Sequence, residues 1–406
     1  MRSQEIPSAV IERAHTLFHA HRFLLRVGLA IGNVFAWIFV FEYFSLLTNS
    51  VPRALLGVLI MYVLSQAITV FATPLAGAFL KRGTRRMLIG ALILAASAFT
   101  TLGATLGGFF DEGPTAWGIA AFAVFLGFYR ALYFMPYELN RAETGEVPPQ
   151  GRILYEILLS LVPAFVGATL VLEAYAPLRL LFGAALLIGI SILPVIALSD
   201  IRERFAFSYF ETFGELFAPR NRNVLWTSFL EGVQGAALFL MWPLAIFIIV
   251  GWSYMMLGLV FTATLLVALL FRIFYRRFVP SVGSISTPVR IVFAVSGWVG
   301  RLAAGTPFGV VVADSYAYTF RGERGTLSDP FVFEQAADNG SYVDEYTALK
   351  EIALAGGRIA LSVIVGLLVL STPLIIAFGG AIVLAALASG LSVYLAHTLI
   401  LSSARY

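Results

Sequence analysis

The chain has 406 residues, of which 59% are hydrophobic and only 12% charged, and its mean hydropathy is +0.88. Soluble domains carry about 25% charged residues, so this composition excludes a water-soluble globular fold and implies a multi-pass integral membrane protein. A net charge of +4 and a pI near 9.3 do not indicate nucleic acid as a partner, because the basic residues sit between apolar runs and form no soluble patch interleaved with aromatics.

Lipid cannot hydrogen-bond the backbone, so apolar segments of about 20 residues must close their peptide groups internally as α-helices. A charged stretch from Glu5 to Arg26 precedes the first apolar run and does not read as a cleavable signal. Ser8 can cap a short helix from Ala9 that carries Val10, Leu17 and Phe18, but residues 1–22 are read as an ordinary cytoplasmic lead-in. Six spans are then expected at 23–47, 54–80, 87–110, 115–138, 153–176 and 177–198. A polar cytoplasmic connector at 199–222 leads to six more, at 223–250, 252–275, 288–303, 305–320, 346–371 and 373–400, before a short tail at 401–406. The ninth and tenth are short and interrupted by Gly297, Gly300, Gly305 and Gly309. The fold class expected is therefore all-α, with twelve transmembrane helices as two six-helix bundles, 23–198 and 223–400.

Basic residues accumulate in loops held on the cytoplasmic side. With the amino terminus inside, 22 of the 27 Lys and Arg residues fall in cytoplasmic segments. Only Arg53, Arg179 and Arg301 fall outside, while Arg130 and Arg358 lie within helices. Both termini are accordingly expected in the cytoplasm, and the bilayer would be a bacterial-type cytoplasmic membrane.

There are no cysteines, which removes disulfides and thiolate chemistry. The four histidines, His15, His19, His21 and His397, all lie near the termini, which argues against a buried zinc or catalytic cluster. No Gly-Lys-Ser/Thr phosphate loop is present, and Asp338, Asp344 and Glu345 at 321–345 read as a solvated acidic connector. No metal, no cofactor and no enzymatic activity are expected.

The halves echo each other at an offset of about 201 residues. Leu56-Gly57-Val58 aligns with Leu257-Gly258-Leu259, each helix then runs into a basic cluster, and Asn33 meets Gln234 at equivalent depth. At an offset of 195, Tyr155-Glu156-Ile157 aligns with Lys350-Glu351-Ile352.

Between helices 2 and 3, Gly77-Ala78-Phe79-Leu80-Lys81-Arg82-Gly83-Thr84-Arg85-Arg86 resembles the signature loop of the major facilitator superfamily, G-x-L-a-D-R-x-G-R-R. Gly77, Arg82, Arg85 and Arg86 match, Lys81 replaces the acid that helps latch the halves together, and Thr84 replaces the second glycine. Arg130 stands where that family often carries an arginine in helix 4. The resemblance implies two bundles rocking around a central site that is exposed alternately to each side.

An ionisable residue at a helix centre costs about 2.5–3.5 kcal/mol on insertion scales, so it normally faces a cavity or a partner. Glu231 in helix 7 and Arg130 in helix 4 lie about eight residues, roughly 12 Å, from the cytoplasmic face. Asp314 in helix 10 is comparably placed, and the family arrangement would set it beside Arg358 in helix 11 as an ion pair. Glu231 or Asp314 is the candidate to exchange a proton during transport. The same arrangement implies that Glu156 and Arg272 face each other as a cytoplasmic gate. For a substrate site the polar or amphipathic groups at mid-depth are Asn33, Trp37, Gln66 and Gln234, with Tyr133 and Tyr316 as weaker additions. The expected function is secondary active transport of a small organic solute by alternating access, with protons as a coupling partner. The alternatives are a lipid or amphiphile flippase or exporter and a non-transporting membrane receptor or assembly protein.

Overall fold

A computed structural model describes residues 8–109, 115–144, 152–172, 176–278, 286–320 and 343–403. Among these residues the structure is all-α. The first half contains α1 (Ser8–Thr48), α2 (Val51–Phe79), α3 (Thr84–Leu106), α4 (Thr115–Thr144), α5 (Arg152–Leu172) and α6 (Ala176–Ile190). A connector carrying the short helix Tyr209–Glu215 follows. The second half contains α7 (Arg222–Ile249), α8 (Tyr254–Phe278), α9 (Thr287–Leu302), α10 (Pro307–Phe320), α11 (Val343–Ser371) and α12 (Leu374–Ser403). Ten of the twelve are long and apolar enough to cross a bilayer. The other two, α9 and α10, have 16 and 14 described residues, matching the two short helices expected from their glycines.

Large apolar side chains point outward along the bundles, among them Trp117, Phe165, Leu172, Leu370 and Ile375. In water such a surface would aggregate, whereas in lipid it has no cost, because acyl chains are as apolar as the side chains they meet. The polar groups turn inward instead. Many hydroxyls bond the carbonyl one turn back, as Thr69 does to Ser65 and Thr73 to Thr69, which removes them as free donors.

In the first bundle α1 packs on α2, α5 and α6, while α3 lies between α4 and α6. In the second, α7 packs on α11 and α12, and α9 lies against α10 and α12. The bundles meet along a seam where α2 packs on α11 and α5 on α8. At the α5–α8 crossing a methyl group on Gly258 would overlap the Pro163 carbonyl oxygen, and one on Gly167 would overlap the Tyr254 carbonyl. Glycine is therefore what lets these backbones touch. The Ala164 amide adds a bond across the seam, donating to Thr262 Oγ1 at 3.0 Å.

Twelve alternating helices bring both ends of the described chain to one face, here called the basic face, opposite the far face. Two expectations are corrected there and along the chain. Residues 8–22 of the segment read as a lead-in form the first third of a single 41-residue helix. Its Phe18 stacks on Tyr137 at 5.2 Å, and its buried His21 bonds the Ser191 carbonyl at 3.0 Å and the Tyr133 hydroxyl at 3.1 Å. Asp344 and Glu345 are not in a solvated connector. They occupy the first turn of α11, are buried, and Glu345 Oε1 accepts the Ala206 amide at 2.7 Å. Asp338 lies outside the described residues. Gly57 and Gly258, which align between the halves, make different contacts, since Gly57 faces the Phe44 ring of α1 within the first bundle.

Candidate functional site

Gln66, Arg130 and Arg358 each stand at the midpoint of a helix of 29 or 30 residues, in α2, α4 and α11 respectively. They therefore stand at about one level, near the middle of their helices. Gln66 is fully buried, and its Oε1 accepts from Arg358 Nη1 at 3.2 Å, a bond that crosses from one bundle to the other. The Arg130 guanidinium lies over the Tyr62 ring, 5.9 Å from its centre. That ring is held edge-on by Trp37 at 5.4 Å, and Trp37 packs in turn on Phe122 at 5.3 Å. Trp37 is thus a support behind the site rather than a group facing lipid.

Close helix approach brings these side chains together. On the first bundle a methyl on Gly127 would overlap the Ser65 carbonyl and Ile68, and Thr69 Oγ1 donates to the Gly127 carbonyl at 3.2 Å. That contact fixes α4 on α2 one turn before Arg130. On the second bundle Gly357 faces the Phe229 carbonyl and Gly232 the Leu354 carbonyl, so α7 and α11 touch backbone to backbone. Gly235 leaves open the space beside Arg358 Nε, which lies 3.7 Å from where its Cβ would be.

Among the described residues, three polar atoms of this cluster are buried without a hydrogen-bond partner: Arg130 Nη1, Gln66 Nε2 and Glu351 Oε2. Glu351, 6% exposed, lies about two turns from Arg358 on α11. Arg130, Arg358 and Glu351 lie within electrostatic reach of one another, in surroundings where water screens little. Glu351 was not singled out from the sequence, although a carboxylate inside a span was the signal that could have found it.

The bundles touch on both sides of this cluster. Toward the far face, Phe41 of α1 stacks on Trp252 at 5.3 Å, Phe247 packs on both Trp252 and Tyr254, and the Tyr254 hydroxyl donates to Glu42. Trp252 has φ +63 beside Gly251 at +70, a left-handed conformation rarely taken by a bulky residue. The stacked rings hold it there. Glu42 is a second intramembrane charge that sequence reading passed over. Toward the basic face, Ala348 of α11 packs among Ala76, Leu80, Met87 and Met135, and Arg272 of α8 pairs with Glu156 of α5 at 3.2 Å.

The Asp314–Arg358 pair expected from the sequence does not form. Asp314 accepts from Arg301 Nε at 2.6 Å and from Trp242 Nε1 at 2.8 Å. Arg301, counted on the external side at the end of the ninth helix, is 4% exposed and stacked over Trp298 at 4.3 Å. A one-turn π-helix, Ala237–Met241, precedes Trp242. Pro243 cannot donate to the Phe239 carbonyl and would crowd it, and the widened turn relieves that conflict while aiming Trp242 at α10. Asp314 therefore has both oxygens occupied. Glu231 is half-buried with no hydrogen bond or ion pair among the described residues.

The remaining candidates do not join the cluster. Gln234 donates to Ser392 Oγ of α12 at 3.2 Å, and Tyr316 bonds Ser296 of α9 at 2.8 Å, both inside the second bundle. Tyr133 is bonded to His21, and Asn33 is half-buried in α1, its side chain without a hydrogen bond among the described residues. In the α2–α3 loop Gly77 lies under the Phe205 ring, Arg82 covers Phe79 at 5.0 Å, and Arg86 is exposed. Asp200, from the end of the first half, accepts the Arg85 amide at 3.1 Å, while Arg85 Nη1 donates to the Ile196 carbonyl at 3.3 Å. With Lys81 in place of an acid, the carboxylate at this loop comes from Asp200, which ties α3 to the connector within one half.

No family model matches the chain, and no curated protein sequence matches it. Solved structures do. A D-xylose–proton symporter superposes with a TM-score of 0.64 at 13% identity, covering 93% of this chain and 96% of its own. The nucleoside transporter NupG gives 0.53 at 15% identity, covering 95% and 98%. The human organic anion transporter MFSD10 gives 0.54 at 12% identity, covering 97% and 100%. At such identities the likeness speaks for fold alone: the chain shares the helical fold of these three transporters.

Proposed function

We propose that this protein is a secondary active transporter that moves a small organic solute across the membrane by alternating access, coupled to protons. The observation that carries this reading is the mid-depth cluster of Gln66, Arg130 and Arg358, which lies on the seam between two bundles and has inter-bundle contacts on either side of it. A site at the midplane between two rigid halves is what alternating access requires. The sharing of the fold with a D-xylose–proton symporter and a nucleoside transporter supports a small polar cargo and a proton as co-substrate.

In this reading residues 23–198, together with the α1 residues 8–22 that precede them, and residues 223–400 are the moving bodies, 199–222 joins them, and 401–406 follows. The basic face is cytoplasmic, in a bacterial-type cytoplasmic membrane. The Gly167–Gly258 crossing is the pivot, because backbone contact there permits rotation with little change in packing. Breaking the Glu156–Arg272 pair opens the cytoplasmic side, and breaking the Glu42–Tyr254 bond opens the other. Glu231 carries the proton, since Asp314 is held by two donors and Glu231 by none.

Proteoliposome uptake tests the proposal with labelled sugars, nucleosides and organic acids, with and without an inward proton gradient. Saturable uptake of at least one solute is expected, with accumulation lost when the gradient is collapsed. Glu231→Gln is expected to keep exchange while losing gradient-driven accumulation. Absence of flux for every solute under both conditions overturns the transporter reading.

A further inference from the structure

The cluster at the seam has an unbalanced charge. Arg130 and Arg358 approach from opposite bundles, and the acid within reach of both, Glu351, makes no ion pair with either. Lys350 and Glu138, which also lie within reach of Glu351, offset each other in formal charge, so two guanidinium groups and one carboxylate leave one positive charge inside the bundle, where an uncompensated ion is costly. The hydrogen-bonding inventory leans the same way. Of the three buried atoms of the cluster without a partner among the described residues, Arg130 Nη1 and Gln66 Nε2 are donors, and only Glu351 Oε2 is an acceptor. Charge and hydrogen bonding therefore ask for the same thing, an acceptor carrying a negative charge. Aromatic side chains supply the rest of the surroundings, with the Tyr62 ring beneath Arg130 and the buried Tyr129 adjacent to it in sequence.

Resting on the transporter reading, we propose that the cargo is a small organic anion, whose single oxyanion group is gripped between Arg130 of α4 and Arg358 of α11 and hydrogen-bonded by the Gln66 amide. Guanidinium groups suit this task because their planar fork of donors matches an oxyanion. The arrangement also links binding to motion. Without an anion, like charges face each other across the seam and push the bundles apart. With one bound, both arginines are drawn to a common centre, so binding favours closure over the cargo.

The test measures thermal stabilisation of the purified, full-length protein by matched pairs of probes: benzoate against benzamide, glucuronate against glucose, and glucose 6-phosphate against glucose. Saturable stabilisation by at least one organic anion, and none by its neutral counterpart, is expected. Chloride and inorganic phosphate serve as competitors, and stabilisation by these alone would mean an inorganic-ion site and overturn the proposal. Arg130→Gln and Arg358→Gln should each weaken the anion response about tenfold or more, with Arg130→Lys retaining part of it. If the glutamine variants do not fold, the comparison of anion and neutral probes on the unmodified protein decides the question. Equal stabilisation by both members of each pair, or none by any anion, overturns the proposal. Parallel uptake assays keep the two readings separate: anion binding without flux sinks the transporter reading alone, and flux of a neutral solute unaffected by anions sinks this inference alone.

Discussion

Asp314 and Arg130 are both charges inside a membrane bundle, and the structure treats them oppositely. Asp314 has an arginine and an indole N–H on its two oxygens, while Arg130 keeps a buried N–H without an acceptor. A fully occupied buried pair is read as architecture, because removing one partner strands the other charge. Asp314→Ala should therefore lower stability by about 3–5 kcal/mol, seen as a large fall in melting temperature in detergent. Replacing both members, Arg301→Leu with Asp314→Leu, should recover most of that loss. If the single and double variants melt together, the pair is not a structural unit. Arg301 also shows why reading residues one at a time misassigns them. A charge at the end of an apolar run is counted on the external side, and only its neighbours Trp298 and Trp242 reveal that it has folded inward.

At the scale of helices, contact is set by what is missing from glycine. A methyl group at Gly357 would overlap the Phe229 carbonyl oxygen, which belongs to a helix backbone and cannot rotate away, whereas one at Gly90 meets nothing within 4 Å. Gly357→Ala is expected to cost about 1–3 kcal/mol and to displace Arg358, one residue on. Gly90→Ala should be neutral or add up to about 1 kcal/mol through helix propensity. Melting temperatures of the two variants check this, and equal behaviour would remove the close-approach argument. The far-face turn works differently, because there an aromatic stack holds Trp252 in a left-handed conformation. Phe41→Ala removes one side of that stack. It should make a cysteine introduced at the neighbouring, half-buried position 253 react faster with a water-soluble thiol reagent than the same cysteine with Phe41 in place.

For the whole molecule the relevant energy is the difference between its closed ends. The Glu156–Arg272 pair is partly exposed, and such pairs contribute about 0.2–1 kcal/mol. That amount is small for stability but changes a conformational equilibrium by a factor of about 1.4–5. The chain lacks cysteine, so a single Ala348→Cys reports on opening without background. Ala348 is fully buried at the basic face. Its modification by a membrane-impermeant thiol reagent should speed up about 1.4–5-fold when Glu156→Gln is added. An unchanged rate would show that the pair does not hold that face closed.

Hydropathy and glycine placement alone specified an all-α, twelve-helix membrane fold with two short helices in the second half, because lipid leaves the backbone no other way to satisfy its hydrogen bonds. Charged and polar groups inside spans were legible as candidates for the same reason, and Arg130 and Arg358 as charges and Gln66 as a mid-depth amide were singled out that way. Glu42 and Glu351 carried the same signal and were passed over. Partnership was not legible. Twelve helices of similar composition offer many pairings at equal depth, and sequence distance does not distinguish Arg301 from Arg358 as the partner of Asp314. Rotation about each helix axis decides which side chains share the seam. That rotation is set by backbone contacts at Gly127, Gly232, Gly357 and Gly258, and such contacts exist only once the bundles are packed.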